Sequence, residues 1–189
     1  MARSSTTPAI SAESLVDTAL VILQDFGLAD LSMRRVAGQL GVQPSALYWH
    51  VPDKQSLLAW VCNRLLDGVD APELTGHWRA DVRSRTLALH AALLSTRDAA
   101  ELTASVLALG TGGHRLRELI FEAAAPAASA PASATAPEPA VLTEAAVALL
   151  IGDAMITQQR RQAELLGILS TEPASPLPDF SARLDLLLS

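Results

Sequence analysis

The sequence predicts an all-α chain. Three observations carry this. Alanine and leucine are abundant in a composition that is 50% apolar and only 4% aromatic. β-Branched residues are scattered singly, so the period-two pattern of strands is missing. Apolar residues instead recur at helical spacing between glycine and proline stops along most of the 189 residues.

Residues 1–10 read as a polar, mobile tail ending near Pro8. Ser11 suits an N-cap, and Leu15, Ala19, Ile22, Leu23 and Phe26 form one face of a helix over 12–26 that Gly27 stops. Ser32 caps a second, barely two-turn helix carrying Met33, Val36, Ala37 and Leu40, ended by Gly41. Pro44 suits the first position of a third helix, which runs to His50 or Val51 because Pro52 disfavours α geometry before it. Asp53 caps a fourth helix reaching roughly Leu66. Further helices are expected over Trp78–Arg97, with Trp78, Val82, Leu89 and Leu93 on one stripe, then Asp98–Leu109 and His114–Ala125. Gly110, Gly112 and Gly113 separate the last two. Residues 123–140, almost all Ala, Pro, Ser and Thr, read as a low-complexity loop with extended bias. Val141–Leu169 is the longest helical stretch. Pro173, Pro176 and Pro178 break the chain before a short apolar helix over Phe180–Ser189.

Composition narrows the function classes. Half the residues are apolar, which suffices for a core and excludes wholesale disorder. No apolar run approaches the ~18 uncharged residues of a membrane span, and the N-terminus lacks the apolar stretch of a secretory signal, so a cytoplasmic protein without a membrane partner is expected. Cys62 is the single cysteine, which excludes an internal disulfide framework and reads as a small buried hydrophobe. The net charge of −6 argues mildly against a nucleic-acid partner, but the field at the contact face decides, not the total.

The informative stretch is 31–54. Two short helices joined by Gly41-Val42-Gln43 have the helix-turn-helix layout, whose second helix enters the major groove of DNA. Ala37 and Gly38 are small enough for close helix packing, and Val42 and Leu47 are placed to plug the corner. Tyr48, Trp49 and His50 are consecutive and point in different directions, so they cannot all be core. Arg34 and Lys54, the latter the only lysine, bracket the unit and can reach phosphates. Asp53 is the only acid within 33–54. An ordinary helical hairpin in a bundle is the competing reading of this pattern.

The string Leu47-Tyr48-Trp49-His50-Val51, with Leu31, Arg34, Ala37, Leu40-Gly41-Val42 and Lys54 in register, resembles the DNA-binding domain of the tetracycline-repressor-like (TetR) regulators. Tyr-Trp-His points to the tetracycline-repressor branch. A weaker likeness continues through Leu93-Leu94, Arg97-Asp98 and the Ala-rich stretch 144–160. The resemblance implies a homodimeric repressor in which Arg34, Gln43, Pro44, Ser45, Ala46, Tyr48, Trp49, His50 and Lys54 occupy operator-contacting places. Residues 43–46 differ from the tetracycline branch, so the operator sequence should differ too. It also implies a dimer seam of two helices per subunit, here 141–169, with Val141, Ala145, Ala148, Leu149, Met155 and Ile156, and the terminal Leu184–Leu188 segment.

In tetracycline repressors the drug arrives as a magnesium chelate, with a histidine among the metal ligands. Counted from Arg97-Asp98, that place falls at Thr103, and two other drug-contacting places fall near Asp70 and Arg85. None holds the tetracycline-type residue. His77, His90 and His114 lack metal-ligand spacing, so neither a metal nor a cofactor is expected. The expected pocket is lined by Arg85, Leu89, Leu93, Thr103, Val106, Leu107 and Leu149 and suits an apolar or amphipathic effector. Simple core filling is the competing reading of those leucines. No nucleophile elbow or other catalytic motif is present.

These readings divide the chain into a helix-turn-helix domain at 11–53 and a ligand-binding and dimerisation domain at 54–189. The expected function is ligand-responsive repression at a palindromic operator, without enzymatic chemistry. Two other readings stay open: a helical small-molecule carrier whose DNA binding has lapsed, and an activator or ligand-independent regulator.

Overall fold

The computed structural model describes residues 10–129, 137–168 and 179–189. Most of the N-terminal tail and the proline-rich 171–178 segment lie outside the described residues. Among those described there are nine α-helices and no strand: α1 (Ala12–Phe26), α2 (Met33–Leu40), α3 (Pro44–Leu47), α4 (Lys54–Asp67), α5 (Trp78–Ser95), α6 (Ala99–Leu109), α7 (His114–Ala124), α8 (Pro139–Leu165) and α9 (Phe180–Leu187). Single 3₁₀ turns cover Leu28–Asp30 and Ala125–Ser129.

The caps sit where the short-range signals place them. Ser11 and Ser14 form a reciprocal capping box at the start of α1. The Ser32 hydroxyl accepts from the Arg35 N–H, and the Asp53 carboxylate accepts from the Ser56 N–H at 2.7 Å. Each such cap contributes about 1 kcal/mol by satisfying an N–H that the helix itself leaves unpaired.

Helices α1, α2 and α3 make a small unit around Leu15, Ile22, Val36 and Leu47, all fully buried. Helix α4 packs on α1 and also on α6 and α7, so it bridges this unit and the rest of the chain. Helices α5, α7 and α8 form the larger body, with α6 packed on α4 and α8 and α9 lying across α5 and α8. By length and composition alone α8 could cross a membrane. Its Leu142, Ala146, Leu150 and Ala154 are nevertheless packed into the protein's own core, and Asp153 is buried among them.

Several elements depart from the sequence reading. Helix α3 ends at Leu47 rather than near His50; one helical hydrogen bond, Val51 N–H to Leu47 O, carries the turn onward before Pro52 stops it. Phe26 is 41% exposed instead of buried, because it is the last residue before Gly27 turns the chain; the Arg35 guanidinium covers its ring at 3.7 Å. Gly38 faces open space, with nothing within 4 Å of a Cβ built there, so Ala37 alone provides the close α2 packing. The 123–140 stretch is helical at both ends and partly buried at Ala123, Ala124 and Ala127. Alanine's high helix propensity and burial against α5, α7 and α8 outweigh the scattered prolines there. Residues 130–136 of it lie outside the described residues. Helix α5 stops at Ser95, two residues early, for a tertiary reason given below.

Candidate nucleic-acid interface

The helix-turn-helix corner is built from backbone outward. Gly41 adopts a left-handed φ of 69°, which a side chain would strain, and the Val42 N–H returns to the Ala37 carbonyl at 3.0 Å. Pro44 opens α3 without losing a hydrogen bond. Leu47 and Val51, both fully buried, fasten the recognition segment to the core from one side. Everything between them must then face away. Tyr48 is 53% exposed and Trp49 is 89% exposed, and His50 is exposed beside them. A large aromatic so fully in water gains nothing for folding and signals a contact surface.

The remaining members of the expected site share that surface. Arg34, Gln43, Ser45 and Lys54 are exposed, and Pro44 and Ala46 are half-buried at the base of α3. The cations divide into two groups. Arg35 is committed to Asp30 and Phe26, and Arg64 lies 3.6 Å from Asp17. Arg34 and Lys54 have no ion-pair partner among the described residues. Asp53, the acid nearest Lys54, is spent on capping α4. Hydrogen bonds from the Ser56 N–H and hydroxyl hold its carboxyl below the ordinary carboxylate value. The face therefore presents two uncommitted positive charges around an aromatic-polar ridge, despite the acidic total.

The residues expected to line a ligand pocket are distributed differently. Leu89, Leu93, Thr103 and Val106 are buried to 1% exposure or less in the helical body. The Thr103 hydroxyl lies 3.7 Å from the Cys62 thiol. Arg85 is buried, and its guanidinium donates to the carbonyls of Pro72 and Leu119 and to Glu122 at 2.7 Å. Leu149 is partly buried. Leu107 lines an outer groove with Ala104, Ala108, Ile151 and Gly152.

Two polar constellations have no local signature in the sequence. Around α9, His90 Nε2 lies 2.7 Å from the buried Asp153 carboxylate, which also takes the Arg183 guanidinium, and Phe180 stacks on the imidazole at 4.0 Å. Arg83 grips Asp185 and Arg79 donates to the Leu188 carbonyl, so the short terminal helix is clasped along its length. The second constellation joins the two bodies. The Asp98 carboxylate accepts from the Leu28 N–H at 2.8 Å, the Arg97 N–H donates to Gln24, and the Arg97 guanidinium donates to the Asp25 carbonyl. Behind this latch, the Gln158 amide donates to the carbonyls of Leu93 and Thr96 and accepts from the Ala100 N–H. That is why α5 ends early: the carbonyls at its end are satisfied from α8 instead of by another helical turn. Asp98, in left-handed conformation at φ 54°, spends its side chain across the boundary rather than capping α6.

Comparison with known proteins agrees with this architecture. Residues 15–61 match the family model described as bacterial regulatory proteins, tetR family. The class C tetracycline repressor of Escherichia coli is 36% identical over 95 residues, which make up 49% of this chain and 43% of that repressor; the aligned part is thus less than half of its length. Across nearly the whole chain, BioQ of Mycobacterium smegmatis superposes with a TM-score of 0.79 at 31% identity, covering 95% of this chain and 96% of that one. BioQ has also been solved with its double-stranded DNA operator, at 30% identity and a TM-score of 0.76. ActR of Streptomyces coelicolor, solved with (S)-DNPA, superposes at 26% identity with a TM-score of 0.71 over 95% of this chain and 94% of its own. The capped α1–α4 unit, the helical body behind it and a full-length relative above 30% identity agree: this chain belongs to the tetR family of bacterial regulatory proteins.

Proposed function

We propose that the chain is a transcriptional repressor that binds a palindromic DNA operator as a homodimer and releases it when a small molecule binds. The observation that carries this is the exposed Tyr48-Trp49-His50 ridge, flanked by the uncommitted Arg34 and Lys54. Residues 11–53 are the reading head and 54–189 the ligand-binding and dimerisation domain, with α4 as the bridge. Gln43, Pro44, Ser45 and Ala46 stand at the start of the recognition helix, where side chains meet base edges, and so set the sequence read. Lys54 and Arg34 hold phosphates and set the register.

The relatives lend support in kind: BioQ has been solved with an operator and ActR with a small molecule. The effector is apolar and metal-independent, held among Leu89, Leu93, Thr103, Val106, Leu107 and Leu149 with Arg85 at the edge. No catalytic step is involved, and the protein acts in the cytoplasm, where the DNA is. In the dimer, the recognition helices sit one DNA turn apart, ~34–36 Å, and an effector that prefers another domain angle shifts the population away from that spacing.

Sequencing of duplexes selected by the purified protein from a random pool tests the reading. A palindromic consensus whose binding falls steeply as salt rises is the expected result. Enrichment of no sequence would sink it.

A further inference from the structure

The latch between the two bodies forms one wall of a cleft of about 420 Å³. Its other walls come from Leu94 of α5 and from the C-terminal end of α8. This volume falls within the ~300–1,000 Å³ range of small-molecule sites. The lining combines two chemistries. Leu94, Leu165 and Leu166 supply an apolar side, with Leu165 89% and Leu166 66% exposed. Arg97, Arg161 and Gln162 supply donors. The Arg161 guanidinium has a single long contact, 3.4 Å to the Leu94 carbonyl, and the Gln162 side chain has no hydrogen-bond partner among the described residues. Asp98, the one acid in the lining, is already committed to the Leu28 N–H. A net cationic pocket beside an apolar wall stands out on a chain of net charge −6.

We propose that this cleft is an effector site, separate from the helical interior, for an amphipathic carboxylate. The carboxylate is held by the Arg161 and Arg97 guanidiniums in charge-assisted hydrogen bonds, and its hydrocarbon chain lies on Leu94, Leu165 and Leu166. Arg97 is the coupling element. Its guanidinium otherwise donates to the Asp25 carbonyl at the end of α1, so an anion that recruits it loosens the reading head. Occupancy of the site stands independently of the DNA-binding reading; only the coupling rests on it.

The test uses the full chain with octanoate as probe and octanol as its uncharged counterpart, read by titration calorimetry without DNA. Octanoate is expected to bind and octanol to bind much more weakly. Arg161→Gln is expected to weaken octanoate about tenfold. Gln162→Trp, which fills the cleft from an accessible position, is expected to abolish binding. Both variants should keep the wild-type melting temperature. Equal binding of octanoate and octanol, or octanoate binding untouched by both substitutions, would overturn the site. So would a change of oligomeric state in either variant by light scattering, which would make the cleft an interface between copies. The coupling is read as octanoate lowering affinity for the selected duplex in wild type and not in Arg161→Gln; binding without that loss overturns the coupling. A protein that binds octanoate but selects no DNA refutes the repressor reading and leaves the site standing.

Discussion

Lys54 and Gln43 lie on one surface and should behave differently when removed. On the proposed reading Lys54→Ala deletes a phosphate contact, so binding to every duplex should weaken alike and the slope of log affinity against log salt should flatten by about one. On the same reading Gln43→Ala removes a base-edge contact, so preference should change at particular positions while the slope stays. Anisotropy titrations over a salt series separate the two, and an unchanged slope in Lys54→Ala would displace it from the phosphate. His90 carries the pH prediction. Burial pushes its pKa below the ordinary 6.5, and the nearby Arg183 and Arg161 guanidiniums push the same way, while Asp179 pulls upward more weakly. Below pH 6.5 the unfolded chain therefore takes up a proton that native His90 resists. Its stabilising contribution is complete above that pH and is lost as pH falls through the depressed folded value. The urea midpoint should drop between pH 7.5 and 5, and His90→Asn should drop less over the same interval. Parallel curves would show that His90 does not drive the loss.

Among the elements, the α1–α2 connection shows most sharply how little freedom the reading head has. Gly27 has φ 87°, and a Cβ there would sit 2.5 Å from the Asp98 carboxylate oxygen that accepts from Leu28. Gly27→Ala combines an unfavourable backbone with a displaced latch. A loss of about 1–3 kcal/mol is expected, together with weaker operator binding, because the reading head loses its fixed angle. Asp98→Asn keeps the space and weakens only the acceptor, so it should cost less stability. If Gly27→Ala melts like wild type, the close approach is not maintained in solution. The capped starts of α1, α2 and α4 were legible in the sequence because each cap and the N–H that donates to it lie three residues apart. The extent of α5 was not, since a glutamine from α8 decides where it stops.

For the whole molecule, the assembly and the effector are the open tests. On α8, Val141 is 64% and Ile156 49% exposed, and on α9 Leu186 is 77% exposed. The buried stripes of both helices are already used within the protomer, so this second apolar set is available to a partner copy. Light scattering at micromolar concentration should report a dimer, and Ile156→Asp should shift it toward monomer; a wild-type monomer would remove the two-half-site geometry. Magnesium-tetracycline should not raise the melting temperature. Thr103, the position that the count from Arg97-Asp98 matches to the tetracycline-branch imidazole, offers only a neutral hydroxyl and is already buried against Cys62. Magnesium-dependent stabilisation by tetracycline would reverse this.

The sequence by itself determined the helix order, most caps, the turn at Gly41 and the exposed Tyr48-Trp49-His50 ridge. All of these rest on interactions within about one helical turn, or on a crowding of bulky groups that no single helix face can bury. Only the tertiary structure decided the rest. It left Gly38 open, moved Phe26 to the surface under Arg35, and spent Asp98 on Leu28, 70 residues away, rather than on its own helix. It brought His90 and Arg183 together on Asp153, and Gln158 to the α5–α6 corner. Those pairings depend on the angles at which whole helices cross. The angles are set by core packing among residues far apart in the chain, and no short window of sequence contains them.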